Sequence, residues 1–128
     1  MKLKILISSL ICFFLSFCAA STQITLQEIM LYENNSFDDV WSASLKAIMD
    51  IGFSIKSTDR EGGFIFAQGH KNDLLDDEPP NLNLIILEKN GKMSIDCQVI
   101  LPGTSVDLLQ KREKVMKKFL EALDKNLN

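Results

Sequence analysis

One stretch of the sequence, Ser36–Ala67, restricts the fold more than any other. It has the pattern of an amphipathic helix, a glycine stop and two short strands around a charged turn. Ser36, with Asp39 three residues later, forms an acidic version of the capping box that begins helices. Apolar residues then recur every three or four positions, which is typical of a helix that packs one face on a sheet. Gly52 predicts where this helix ends.

Alternating patterns and turn residues predict five strands. They are Ile24–Tyr32, Phe53–Ser57, Phe64–Ala67, Leu82–Lys89 and Lys92–Leu101. The dipeptide Asn90-Gly91 is a strong signal for a two-residue hairpin turn between the last two strands. Such a turn places Leu84 opposite Cys97 on one apolar face. The other predicted pairs on this face are Ile86 with Ile95 and Leu82 with Val99. Residues 69–81, rich in acids and carrying two prolines, are typical of a surface loop.

A second helix is predicted after Pro102-Gly103, with Thr104 as its cap and about 20 residues of length. Its predicted apolar stripe consists of Val106, Leu109, Met116, Leu120 and Leu123, and its predicted polar face carries Lys111, Arg112, Lys114, Lys117 and Lys118. The resulting order is β-α-β-β-β-β-α. We therefore predict an α+β fold, an antiparallel sheet of about five strands with two helices packed on one face.

The first 20 residues have a different character. A short basic start precedes an apolar run, Ile5–Phe17, and then the small residues Cys18-Ala19-Ala20. This order is typical of a signal peptide, and the run is shorter than the roughly 20 residues that span a bilayer. We predict a signal peptide at 1–20 and a single α+β domain at 21–128. An uncleaved membrane anchor is the less favoured interpretation of the same run.

Two processing routes fit this segment. Leu15-Ser16-Phe17-Cys18 is similar to the bacterial lipobox, in which the cysteine is lipidated, although Phe17 replaces the small residue preferred there. Lipidation of Cys18 would anchor the protein to a membrane, at the periplasmic face of the envelope. Ala19, which is not an aspartate, resembles the case associated with outer-membrane sorting. The other route is cleavage after Ala20 and release of a soluble protein.

Charge and cysteine content limit the functions that we expect. Removal of residues 1–20 takes away two lysines and changes the formal net charge from −3 to −5, so we expect no nucleic-acid partner. Cys97 is the one cysteine outside the signal peptide, and its place on the apolar face predicts a buried, unreactive thiol.

The sequence contains no recognisable catalytic set. His70, the single histidine, lies at the edge of the acidic loop, and a cation-dependent hydrolase would need that loop to fold onto the sheet. The loop lacks the ligand spacing of calcium-binding loops, and no nucleophile–base motif is present. We therefore predict a protein that is not an enzyme, with no catalytic residue, metal or cofactor.

Aromatic residues provide the candidate binding surface. Trp41, Phe64 and Phe66 are candidates for a ligand cleft between helix and sheet, or for a surface that contacts a partner. The alternative is that they fill the core, because aromatic residues at helical or strand spacing are commonly buried.

The Ser36–Ala67 pattern also resembles a known family. The matching residues are Val40-Trp41, Ala47-Ile48, Gly52-Phe53, Ile55, Asp59-Arg60, Gly63, Ile65 and Ala67. The pattern resembles the repeated domains of the outer-membrane lipoprotein BamC and of related small bacterial envelope lipoproteins. The resemblance implies a helix-grip-like sheet with two helices and contacts with envelope proteins, and it implies no catalytic residues.

Two functions follow as expectations. The first is a non-enzymatic exported protein, a lipid-anchored accessory or protein-interaction domain of the cell envelope. The alternative is a soluble periplasmic binding module for a small apolar ligand.

Overall fold

The computed structural model describes residues 25–70, 78–101 and 106–128. The strands are β1 (Thr25–Tyr32), β2 (Ser54–Asp59), β3 (Phe64–Gln68), β4 (Asn81–Lys89) and β5 (Lys92–Ile100), and the helices are α1 (Phe37–Asp50) and α2 (Val106–Leu127). Neither helix combines the length and the apolar character needed to cross a bilayer, within these described ranges. The predicted lipidation site at Cys18, the cap at Thr104 and most of the acidic loop lie outside the described residues.

The five strands form one antiparallel sheet in the order β1-β5-β4-β3-β2. Both helices pack on one face of this sheet and against each other. The core is built from the inward-facing residues of the central strands and the apolar faces of the helices. The predicted α+β class, element order and placement of the helices are confirmed.

Helix α1 begins as its sequence predicts. The Ser36 hydroxyl accepts a hydrogen bond from the Asp39 amide at 3.2 Å, and the Asp39 carboxylate accepts one from the Ser36 amide at 3.1 Å. This reciprocal pair satisfies two amides that the first helical turn leaves without partners. Hydrogen bonding to Ser36 also keeps the pKa of Asp39 below its ordinary value.

The β4–β5 hairpin has the predicted register. Leu84 lies opposite Cys97, as the Asn90-Gly91 turn requires. The predicted pairs Ile86 with Ile95 and Leu82 with Val99 are also present. Both turn residues have positive φ, 55° at Asn90 and 74° at Gly91, the conformation of a type I′ turn.

Strand β3 lies next to β2 and β4 and alternates between two environments. Ile65 and Ala67 are fully buried against the helices. Phe64 and Phe66 therefore point to the opposite, outer face of the sheet, where they are half-buried. Ile29 and Leu31 of β1, both 61% exposed, and Leu87 of β4, 44% exposed, are the large apolar side chains most open to solvent on that outer face.

Helix α2 departs from the predicted stripe at two positions. Leu109, predicted to be buried, is 41% exposed, and Arg112, predicted to lie on the polar face, is fully buried; both predictions were wrong. Arg112 continues the line of Met116 and Phe119 along the helix, and its Nη2 donates a hydrogen bond to the Leu101 carbonyl at 2.8 Å. That carbonyl lies just beyond the last residue of β5, so the guanidinium provides the donor that the sheet no longer supplies.

Candidate functional site

An apolar concavity lies where both helices meet the ends of β3, β4 and β5. We call it the helix-end pocket. Its wall is apolar and consists of Ile51, Phe53, Pro80, Leu101, Leu108 and Val115. Its polar rim consists of His70, Glu78, Lys111, Lys114 and Lys118.

The end of α1 supplies one side of this wall. The Gly52 amide donates to the Met49 carbonyl at 3.0 Å, and the Phe53 amide donates to the Ile48 carbonyl at 3.1 Å. These two bonds define a Schellman motif, which needs a left-handed residue after the helix, here Gly52 with φ of 82°. The motif reverses the chain so that Ile51 and Phe53, on either side of the glycine, both reach the pocket.

The ends of β3 and β4 supply the next side. The Gly69 amide donates to the Pro80 carbonyl at 2.9 Å, which joins the two ends of the loop that separates these strands. This bond places His70 and Glu78 at the rim and Pro80 in the wall.

Helix α2 closes the pocket. Leu108 and Val115 lie seven residues apart, about two turns, and present apolar groups from one side of the helix. Leu101 is positioned by the buried Arg112, whose guanidinium binds its carbonyl. Arg112 therefore does not line the pocket, but it holds the backbone of the lining residue Leu101 in place.

The size and polarity of the pocket suit a small amphipathic molecule. Its volume is about 290 Å³. A pocket of this volume accommodates a short alkyl chain rather than a drug-sized ligand. An apolar wall with a few polar groups at its edge is the usual construction of a ligand site.

The structure does not bring the predicted aromatic site residues together. Trp41 is 6% exposed and belongs to the core, with its ring stacked on Phe37 at a centroid distance of 5.7 Å. Phe64 and Phe66 lie on the opposite face of the sheet. These three residues therefore form no common cleft, and Trp41 packs in the way that the core alternative expected.

The other chemical groups singled out in the sequence have clear positions. Cys97 is fully buried, and burial, followed by the nearby Glu28 and Asp96, raises the pKa of its thiol. The predicted burial of Cys97 is confirmed, and a raised pKa suppresses the reactive thiolate. His70 is exposed at the pocket rim. Among the described residues, no group of three or more histidine, cysteine, aspartate or glutamate side chains is arranged to hold a metal ion.

Sequence reasoning missed the helix-end pocket, although α2 carries a signal for part of it. Lys111, Lys114 and Lys118 are spaced three and four residues apart, so their side chains share one face of the helix. The sequence shows this spacing. What it does not show is that this lysine face adjoins an apolar wall contributed by α1 and by loop ends distant in sequence.

Comparisons with known proteins bear on the fold. No family model matches the chain, and no curated protein matches it by sequence. Among solved structures, Ara h 8.0201 is similar with a TM-score of 0.58 at 9% identity, over 82% of this chain and 97% of that chain. An uncharacterized protein from Bacillus thuringiensis is similar with a TM-score of 0.53 at 8% identity, over 81% of this chain and 96% of that chain.

An Arabidopsis thaliana member of the major latex protein family is also similar, with a TM-score of 0.52 at 15% identity, over 82% of this chain and 96% of that chain. Identities this low establish a shared fold and carry no assignment of function. Together with the strand order and the placement of the helices, the comparisons show that this chain has a helix-grip fold.

Proposed function

We propose that this protein is a non-enzymatic binding module for a small, largely apolar ligand. The observation that carries the proposal is the helix-end pocket. The end of α1, the start of β4, the end of β5 and helix α2 each contribute apolar side chains to its wall. Its volume of about 290 Å³ lies near the lower end of the usual range for ligand sites, roughly 300–1,000 Å³. A short alkyl chain fills such a space, and burial of its surface provides the driving force.

This proposal agrees with the alternative function expected from the sequence, a binding module for a small apolar ligand. It places the ligand at a different site. The predicted cleft around Trp41 is filled by core packing. The helix-end pocket lies instead beside Phe53, Leu108 and Val115. The helix-grip fold by itself assigns no ligand to the chain.

Calorimetric titration with 1-octanol tests this function. We expect saturable binding at one site, which Val115→Trp abolishes because the larger ring fills the pocket. Leu87→Trp is the matched control, since it adds the same side chain on the outer face of the sheet, where Leu87 is 44% exposed. Thermal unfolding verifies that both variants fold. Unchanged octanol binding by a folded Val115→Trp variant would contradict the proposal.

We also propose that the module is exported and anchored by lipid on Cys18 at the periplasmic face of the outer membrane. The support is the lipobox-like Leu15–Cys18 segment that follows an apolar run. Mass spectrometry of the mature N-terminus tests this, with acylated Cys18 as the expected first residue. An unmodified protein that begins at Ser21 would contradict anchoring. The expected envelope protein partner stays a prediction.

A further inference from the structure

We propose that the ligand of the helix-end pocket is an amphiphile with a short alkyl chain and an anionic head, a carboxylate or a phosphate. This inference rests on the proposed binding function and adds the chemical class of the ligand. It is carried by the position of Lys114 and Lys118 beside the apolar wall.

Among the described residues of the pocket rim, the charge is opposite in sign to that of the chain. The described rim contains three lysines against one acid, Glu78, whereas the whole chain has a formal net charge of −3. A local cluster of one sign at the mouth of an apolar cleft raises the local concentration of ligands of the opposite sign. Neutral ligands gain nothing from this arrangement.

The spacing of the two lysines is unfavourable for the helix itself. Lys114 and Lys118 are four residues apart, so two like charges project from the same face of α2. Lys117 differs, because its ammonium pairs with Glu121 at 4.0 Å, the stabilising i,i+4 arrangement. An anion held between Lys114 and Lys118 relieves their repulsion, and both side chains are exposed enough to reach it.

The geometry separates the two halves of the ligand. Leu108 and Val115 lie on the same helix as the lysines and line the apolar wall. Octanoate has eight carbons, one of them in its carboxylate, and its short alkyl chain suits a pocket at the lower end of the usual size range. Its chain is buried while its head stays at the solvent edge, where an anion keeps part of its hydration.

Calorimetric titrations with octanoate and 1-octanol test the inference, because the two probes share a chain and differ in charge. We expect octanoate to bind about tenfold more tightly, with an affinity that falls as salt is raised. In the Lys114→Gln, Lys118→Gln double variant this preference disappears, whereas octanol binding is retained. Lys117→Gln, on the same helix but outside the pocket lining, keeps the preference.

The outcomes distinguish the two proposals. Equal affinity for octanol and octanoate, or a preference that survives the double variant, would overturn the anionic head and leave the binding function standing. If octanol, octanoate and vesicles all fail to bind, both the binding function and the anionic head are overturned. Phosphatidylglycerol vesicles test a membrane source of the same chemistry. If the protein binds these vesicles through Lys114 and Lys118 but does not bind octanoate, the anionic head belongs to a membrane lipid.

Discussion

Tyr32 is the single tyrosine of the chain, and its hydroxyl reports on the contact between β1 and α2. The hydroxyl donates to Asp124 Oδ1 at 3.3 Å. Burial, followed by the charge of Asp124 and this hydrogen bond, raises the pKa of Tyr32 from 10.0 to about 12. A spectrophotometric alkaline titration therefore measures this one side chain. We expect ionisation near pH 12 in the folded protein and near pH 10 after unfolding.

The raised pKa of Tyr32 has a consequence for stability. The folded state keeps the neutral phenol, so its contribution to stability is complete below pH 10 and is lost as the pH rises towards 12. In urea titrations at several pH values, stability should decline over this window less steeply for Tyr32→Phe than for the unaltered protein. Identical pH dependence of the two proteins would contradict the assigned cause.

Gly63 is fixed by two constraints at once. Its φ is 69°, and a Cβ built there would lie 2.0 Å from the Ile86 carbonyl oxygen. The Gly63 carbonyl also accepts a hydrogen bond from the Ile86 amide at 2.7 Å, so β3 enters the sheet directly against β4. We expect Gly63→Ala to lower the free energy of unfolding by at least about 3 kcal/mol.

Gly52→Ala is the matched control for Gly63→Ala. Gly52 has a similar φ of 82°, and a Cβ there would meet nothing within 4 Å. This variant should cost only the left-handed backbone conformation, about 1 kcal/mol. Urea denaturation of both variants therefore separates backbone strain from steric overlap. Equal losses at the two glycines would refute the close approach of β3 to β4.

At the scale of elements, Arg112 connects the start of α2 to the end of β5. Its guanidinium is fully buried and donates to the Leu101 carbonyl at 2.8 Å. Arg112→Ala removes this bond and the packing of the long side chain, and we expect a loss of about 3 kcal/mol. Glu113→Ala, at the exposed neighbouring position, should change stability by less than about 0.5 kcal/mol. Thermal and urea unfolding measure both; a small effect at Arg112 would contradict its structural role.

The elements themselves could largely be predicted from local sequence. Ser36 and Asp39 determine the start of α1, and Asn90-Gly91 determines the register that places Leu84 opposite Cys97. These features depend on residues close in sequence, where capping and turn geometry decide the outcome. Periodicity misplaced Arg112 because it cannot reveal that a distant carbonyl needs a donor.

At the scale of the whole molecule, the candidate site could not be predicted from local patterns. Ile51, Pro80, Leu101 and Val115 come from four separate parts of the chain and meet only in the folded protein. The aromatic residues chosen from the sequence are instead divided between the core and the outer face of the sheet. Strand alternation shows that Phe64 and Phe66 share a face, but it does not show which face the helices cover.

The central claim is that a small amphiphile binds in the helix-end pocket, which lies between helix α2 and the C-terminal end of helix α1. Intermolecular nuclear Overhauser effects between octanoate and the protein test it most directly. The account predicts contacts from the alkyl chain to Phe53, Leu108 and Val115, which line the pocket wall. Contacts to Phe64 and Phe66 on the outer face of the sheet, or no contacts at all at saturating octanoate, would contradict it.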